Sequence, residues 1–88
     1  MEEMLKTEYK VYVDVLELHD KTGLITPLGF IWEDGRNYPV DGVVDIRKAA
    51  SLKAGGIGLR YTVKIGGNLK FMFLEEDSGV RRWFMERR

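Results

Sequence analysis

Eighty-eight residues, 44% hydrophobic and 32% charged with a formal net charge of zero, make one domain at most and offer no global field for a polyanion. No run approaches the roughly 20 apolar residues of a membrane span, and Met1-Glu2-Glu3-Met4 lacks the basic and apolar regions of a signal peptide. There is no cysteine, hence neither a disulfide framework nor a thiolate metal site, so packing alone must hold the fold, and the expected location is the cytoplasm.

Residues 1–8 read as a tail ahead of a single β-barrel domain. Tyr9 to Leu18 reads as a strand, because Val11, Val13 and Val15 alternate with Tyr12, Asp14 and Leu16. His19-Asp20-Lys21-Thr22-Gly23 is a turn with Gly23 at positive φ. Leu24 to Trp32 is the second strand. Pro27 belongs at an edge or near the strand start, and Gly29 marks a bend or a close backbone approach. Glu33-Asp34-Gly35-Arg36 is a hairpin turn, since Asp-Gly between apolar runs accepts positive φ. Arg36 to Ile46 is a third strand, kinked or bulged at Pro39 and Gly42.

Arg47 to Gly58 is the least strand-like stretch. Ala49, Ala50 and Leu52 suit one helical turn, but three glycines follow. Leu59 to Ile65 is the clearest strand, with Leu59, Tyr61, Val63 and Ile65 on one face and Arg60, Thr62 and Lys64 on the other. Gly66-Gly67 is a two-residue hairpin turn. Asn68 to Leu74 carries Leu69, Phe71 and Phe73 on one face. Asp77-Ser78-Gly79 turns the chain into a last strand, Val80 to Glu86. The expected fold is all-β: about six strands in an antiparallel meander, closed or partly closed as a small barrel. Sequence order and spatial order should largely agree, because short connections join antiparallel neighbours.

Several of these residues carry a resemblance. Pro27-Leu28-Gly29-Phe30-Ile31-Trp32-Glu33-Asp34-Gly35-Arg36-Asn37-Tyr38, Asp45-Ile46-Arg47, Ala49 to Gly56 with Gly58, Arg60-Tyr61-Thr62, and Trp83-Phe84 together resemble a family of small uncharacterised bacterial proteins. Trp32, Gly35, Arg36 and Tyr38 are also similar to a W-x-G-R-x-Y-like element in a second small bacterial family, one associated with Y-family translesion DNA polymerases by genomic neighbourhood. What the resemblance implies is a role near nucleic-acid transactions. It implies no activity and no cofactor.

Charge is uneven along the chain. Residues 1–45 hold four Lys/Arg against ten Asp/Glu, and residues 46–88 hold the reverse. Cross-strand pairing of unlike charges accounts for much of that in a barrel. The candidate ligand-binding residues are Lys53, Gly55, Gly56, Gly58 and Arg60, where consecutive glycines can turn backbone N–H groups toward an anion, with Trp32, Arg36 and Tyr38. The alternative for the glycines is a wide connection that needs positive φ and close packing. Arg60 and Lys64 share a strand face, and Lys70 and Arg82 are expected beside them. With exposed aromatics such as Trp32, Tyr38 or Trp83, that stripe would suit single-stranded DNA or RNA. Arg36 is expected to pair with a carboxylate across the hairpin.

Catalytic and metal chemistry find little support. His19 is the single histidine, and Ser51 has no suggestive base partner. Adjacent carboxylates such as Glu33-Asp34 and Glu75-Glu76 diverge on an extended chain, so no acid/base dyad and no metal site is expected. Trp32 and Trp83 each neighbour a second large apolar residue, Ile31 and Phe84, so one of each pair should emerge on the outer face. The reading is a non-enzymatic binding module. Its expected partner is single-stranded nucleic acid or a DNA-handling protein. The alternative is a protein-interaction or homodimerisation module, with no membrane role in either case.

Overall fold

The computed structural model describes residues 10–49 and 57–87. The expected tail over 1–8, the helical turn beyond Ala49, Ser51, and Lys53, Gly55 and Gly56 lie outside the described residues. Seven antiparallel strands form one sheet: β1 (Lys10–His19), β2 (Ile25–Ile31), β3 (Asn37–Pro39), β4 (Gly42–Ala49), β5 (Ile57–Ile65), β6 (Asn68–Asp77) and β7 (Val80–Glu86). Their spatial order is β3-β2-β1-β7-β6-β5-β4. Every neighbour is a chain neighbour except β1 and β7, which pair through Lys10↔Glu86 to Val13↔Trp83. The meander is therefore cyclically permuted, with first and last strands paired and the seam between β3 and β4.

The turn residues account for most of these connections. Gly23 and Gly35 have φ of 92° and 83°. Each closes a three-residue loop in which Asp20 or Trp32 accepts the glycine N–H at 3.0 or 2.8 Å and donates its own N–H to the residue beyond it. Gly66-Gly67 and Ser78-Gly79 instead have positive φ at both central positions, the two-residue hairpin type whose twist matches the strands. Asp20 adds a side-chain clasp, its Oδ1 accepting from Thr22 and Leu24 N–H groups. Those bonds favour the carboxylate and hold its pKa below the usual range, the Thr22 hydroxyl contributing most.

The third expected strand, Arg36 to Ile46, is two strands, which corrects six strands to seven. The chain breaks at Val40-Asp41, and the two residues bind opposite edges of the sheet. Val40 N–H donates to Leu28 of β2 at 2.9 Å, and Asp41 N–H donates to Lys64 of β5 at 2.8 Å. A connection this short spans at most about 11 Å. The sheet must therefore curl until its edges approach, giving a half-barrel. Asp41 also accepts the Gly66 N–H, tying the β5–β6 hairpin to the seam. Bulges opposite Leu16-Glu17 and between Val43 and Asp45 supply the bending.

Arg47 to Gly58 is also more strand-like at its ends than its composition suggests. Arg47–Ala49 extend β4, and Lys48↔Leu59 and Ala49↔Gly58 continue the ladder. A Cβ on Gly58 would meet the Ala49 carbonyl oxygen at 3.1 Å, so close approach is enough to explain this glycine. At Gly29 a Cβ would meet the Tyr38 carbonyl at 3.2 Å, the close approach expected there.

The core lies on the concave side. Phe30, Tyr61, Val63, Met72, Leu74, Trp83 and Met85 form one buried cluster, with Val13, Val15, Ile25, Trp32 and Tyr38 packed against it. Full burial of each such side chain contributes about 1.5–3 kcal/mol. Tyr61 is 1% exposed, yet its hydroxyl donates to the Ile25 carbonyl at 2.6 Å. That bond lets a polar atom cross the core between β5 and β2. Burial, helped by the charge of Glu17, raises the phenol pKa.

Candidate functional site

Alternation on β5 turns Tyr61 and Val63 inward and Arg60, Thr62 and Lys64 outward. The register then decides what joins them. Tyr12 pairs with Phe84, Phe84 with Phe73, Phe73 with Arg60 and Arg60 with Arg47, so these five form one row across five strands on the outer face. Phe71 flanks the row two residues from Phe73.

The rings touch. Phe73 and Phe84 stack with centroids 4.9 Å apart and planes at 6°. Tyr12 meets Phe84 edge-on at 5.8 Å, and Phe71 meets Phe73 at 6.4 Å. Cations sit over the ring faces: Arg60 4.6 Å from the Phe71 centroid, Lys10 4.5 Å from Phe84, and Arg82 4.5 Å from Tyr12. Tyr12 and Phe71 remain 45% and 44% exposed, so this aromatic cluster faces solvent.

Charge on the face is partly neutralised. The Glu75 carboxylate accepts from Tyr12 Oη and Arg82 at 3.0 Å and lies 3.5 Å from Lys10 Nζ. Arg47 pairs with Asp45 at 2.8 Å. Among the described residues Arg60 and Lys64 have no carboxylate partner. The Arg60 Nε is enclosed without a hydrogen bond, its guanidinium held against Phe71.

Trp32 and Tyr38 belong elsewhere. With Phe30 they line a groove of about 680 Å³ at one mouth of the half-barrel, together with Ile65, Leu69, Lys70, Phe71 and Met85. Tyr38 stacks on Phe30 at 5.4 Å, and Trp32 stands edge-on to Phe30 at 6.5 Å. Glu33 and Arg87 form a two-pronged ion pair at its rim, at 2.9 and 3.1 Å. That pair lowers the Glu33 pKa.

A third cluster sits where β1 leaves β7 to follow β2. Glu17 accepts from Trp83 Nε1, from Arg81 at 3.0 Å, and bonds His19 at 2.7 Å. Burial pushes its carboxyl upward, but the bonds from Trp83, Arg81 and His19 overcome that and hold it at about 2.

The sequence-derived candidates therefore divide. Arg60 lies on the outer face, and Gly58 is the second residue of β5, at the end away from the groove, beside Ala49 and Glu75. Trp32 and Tyr38 lie at the opposite, Ile65 end. Arg36 is exposed on the β2–β3 turn, its Nε 3.9 Å from Asp34 of the same turn and not from a carboxylate across the hairpin. Lys70 pairs with Val63, on the opposite face from Arg60, because its position alternates with Phe71. Arg82 does join the Arg60 face. Trp83 is buried and Phe84 emerges, while Trp32 is half-buried and Ile31 emerges. Glu75 and Glu76 point to opposite faces, and no group of three metal-binding side chains exists among the described residues.

The sequence offers Trp32, Tyr38 or Trp83 as the exposed rings. Tyr12, Phe71, Phe73 and Phe84 take that place; the alternation Leu69-Phe71-Phe73 groups two of them on one face, but with Met72 and Leu74 on the other it does not say which face is core. Fold and site together define a small all-β half-barrel with an aromatic, cation-edged outer sheet face. No family model, curated protein or solved structure matches the chain.

Proposed function

We propose that this chain is a cytoplasmic, non-enzymatic binding module that takes single-stranded nucleic acid on the outer face of β1, β7, β6 and β5. The carrying observation is the four-ring cluster with Arg60 set against it. Bases stack on such rings whatever their sequence, at about 1–3 kcal/mol each. Phosphates meet Arg60 and Lys64, which have no carboxylate partner among the described residues. Because Glu75 occupies Lys10 and Arg82, and Asp45 occupies Arg47, this face offers phosphate two cations among the described residues, so stacking leads and charge assists. The outer face by itself should then give the logarithm of affinity a slope against the logarithm of salt of about −1.4, two contacts at about −0.7 each, and a further phosphate contact steepens it by about 0.7.

Fluorescence anisotropy of labelled single-stranded oligonucleotides at about 50 and about 200 mM salt tests this. Binding with that shallow slope, weakened by Phe84→Ala, is the expected result. No binding at tens of micromolar protein in low salt removes nucleic acid from the reading.

One observation favours a second reading, a protein-interaction or homodimerisation module that also suits docking on a DNA-handling protein. Leu16, Leu18 and Ile31 are exposed on the outer side of β1 and β2, Leu16 by 68%. Sedimentation across a concentration series decides it for self-association: a rising mass abolished by Leu16→Glu supports a dimer, and a constant monomeric mass rejects one.

A further inference from the structure

The groove at the β2–β3 mouth is separate from the aromatic row, yet the two meet at one residue. Phe71 lines the groove beside Leu69 and Lys70 and also contacts Phe73 and Arg60 on the outer face. A strand lying along the face reaches the groove by following β6 for one more pair of residues, roughly 7 Å.

The groove has the character of a site for a planar ligand. Its volume of about 680 Å³ lies within the ~300–1,000 Å³ of small-molecule sites. Phe30, Trp32 and Tyr38 offer ring faces and edges set by their mutual packing, and Met85 and Ile65 supply apolar contact. The Glu33–Arg87 pair joins the β2–β3 turn to the end of β7, holding the two sides of the mouth in fixed relation. Lys70 has no carboxylate partner among the described residues, and it stands at the groove. Glu86 also lines the groove, at the β7 side with Arg87, while Lys70 lies on β6; an aromatic slot with a cation on its β6 side matches a base and its attached phosphate.

We infer that this groove is a nucleobase pocket, receiving one unstacked base of the strand whose neighbours lie on the outer face, with Lys70 meeting the adjoining phosphate. The inference rests on the nucleic-acid reading above and adds a second, inward-facing contact to it. Trp32 is then a ligand-contacting residue, and Trp83, buried behind Glu17, is not.

Intrinsic fluorescence separates the two readings. The full chain is titrated with an unlabelled single-stranded oligonucleotide, alongside Trp32→Phe, Lys70→Gln and Phe84→Ala. Expected is quenching that tracks the anisotropy signal and is absent in Trp32→Phe. A loss of affinity of roughly 5-fold or more in Lys70→Gln should accompany it. Lys70 is exposed, so that variant keeps the fold if Trp32 substitutions do not. Anisotropy binding weakened by Phe84→Ala but unchanged in Lys70→Gln, without Trp32 quenching, overturns the pocket and leaves the outer face standing. No anisotropy binding at all overturns both. Shielding of Trp32 from acrylamide that grows with protein concentration alone assigns the groove to a second copy and overturns the pocket.

Discussion

Glu17→Gln isolates a carboxylate that joins three elements of side-chain packing. Its Oε2 accepts from the indole of core Trp83 and its Oε1 from Arg81 and His19. Gln keeps an acceptor for the indole and loses the charge that Arg81 faces. The folded carboxyl sits at about 2, against an ordinary value of 4.5. At about 1.4 kcal/mol per pKa unit, that depression corresponds to at most about 3.5 kcal/mol of stability. Solvent at the open cleft where β1 parts from β7 screens it to about 1–2 kcal/mol. The folded value lies below the unfolded one, so the contribution is complete above the unfolded value of 4.5. It is lost as pH falls from there through about 2. Urea unfolding of both proteins, followed by tryptophan fluorescence from about pH 7 down to about pH 2, gives the stability gap directly. Asp20 and Glu33, also depressed, are common to both proteins and cancel. The gap should be about 1–2 kcal/mol at neutral pH and close toward pH 2. A gap of the same size at every pH, or none at neutral pH, refutes the assignment of this stability to the Glu17 charge.

Three further outcomes follow from particular contacts. Tyr61→Phe removes the donor to the Ile25 carbonyl while leaving the ring in the core, and should cost about 1–2 kcal/mol in thermal or urea unfolding. Ser78 is the one non-glycine at positive φ among the described residues, at 54° in a two-residue turn; Ser78→Asn, better suited to that conformation, should raise stability by about 0.5 kcal/mol in the same assay. Arg60→Gln should flatten the salt dependence of oligonucleotide binding by about 0.7 in slope without altering the melting temperature appreciably, as anisotropy at several salt concentrations would read.

Much of the secondary structure was legible before any tertiary contact. The alternation of Val11, Val13 and Val15 with Tyr12, Asp14 and Leu16 assigns β1 and its faces, and Gly35, Gly66 and Gly67 place two hairpins where positive φ is needed. That one of Trp83 and Phe84 must emerge was equally readable, since adjacent strand residues diverge, but that it is Phe84 was not. The candidate site was legible only in part. Arg60, Lys64 and Arg82 do share the outer face. Trp32 and Tyr38, which neighbour Arg36 in sequence, belong to a different surface from Arg60. Leu69, Phe71 and Phe73 read as one face, but a strand with large apolar residues on both sides gives no local sign of which side is core.

Residue order alone determined the extended segments, their turns and the division of each strand into two faces, because φ preference and period-two alternation act over a few neighbours. Tertiary structure decided that β1 closes on β7, that Val40 and Asp41 split one apparent strand between opposite edges, and that Met72, not Phe71, enters the core. Those choices depend on the curl of the whole sheet: the bulk of Phe30, Tyr61 and Trp83 must fit one concave space, and the aromatic residues left over become the outer face.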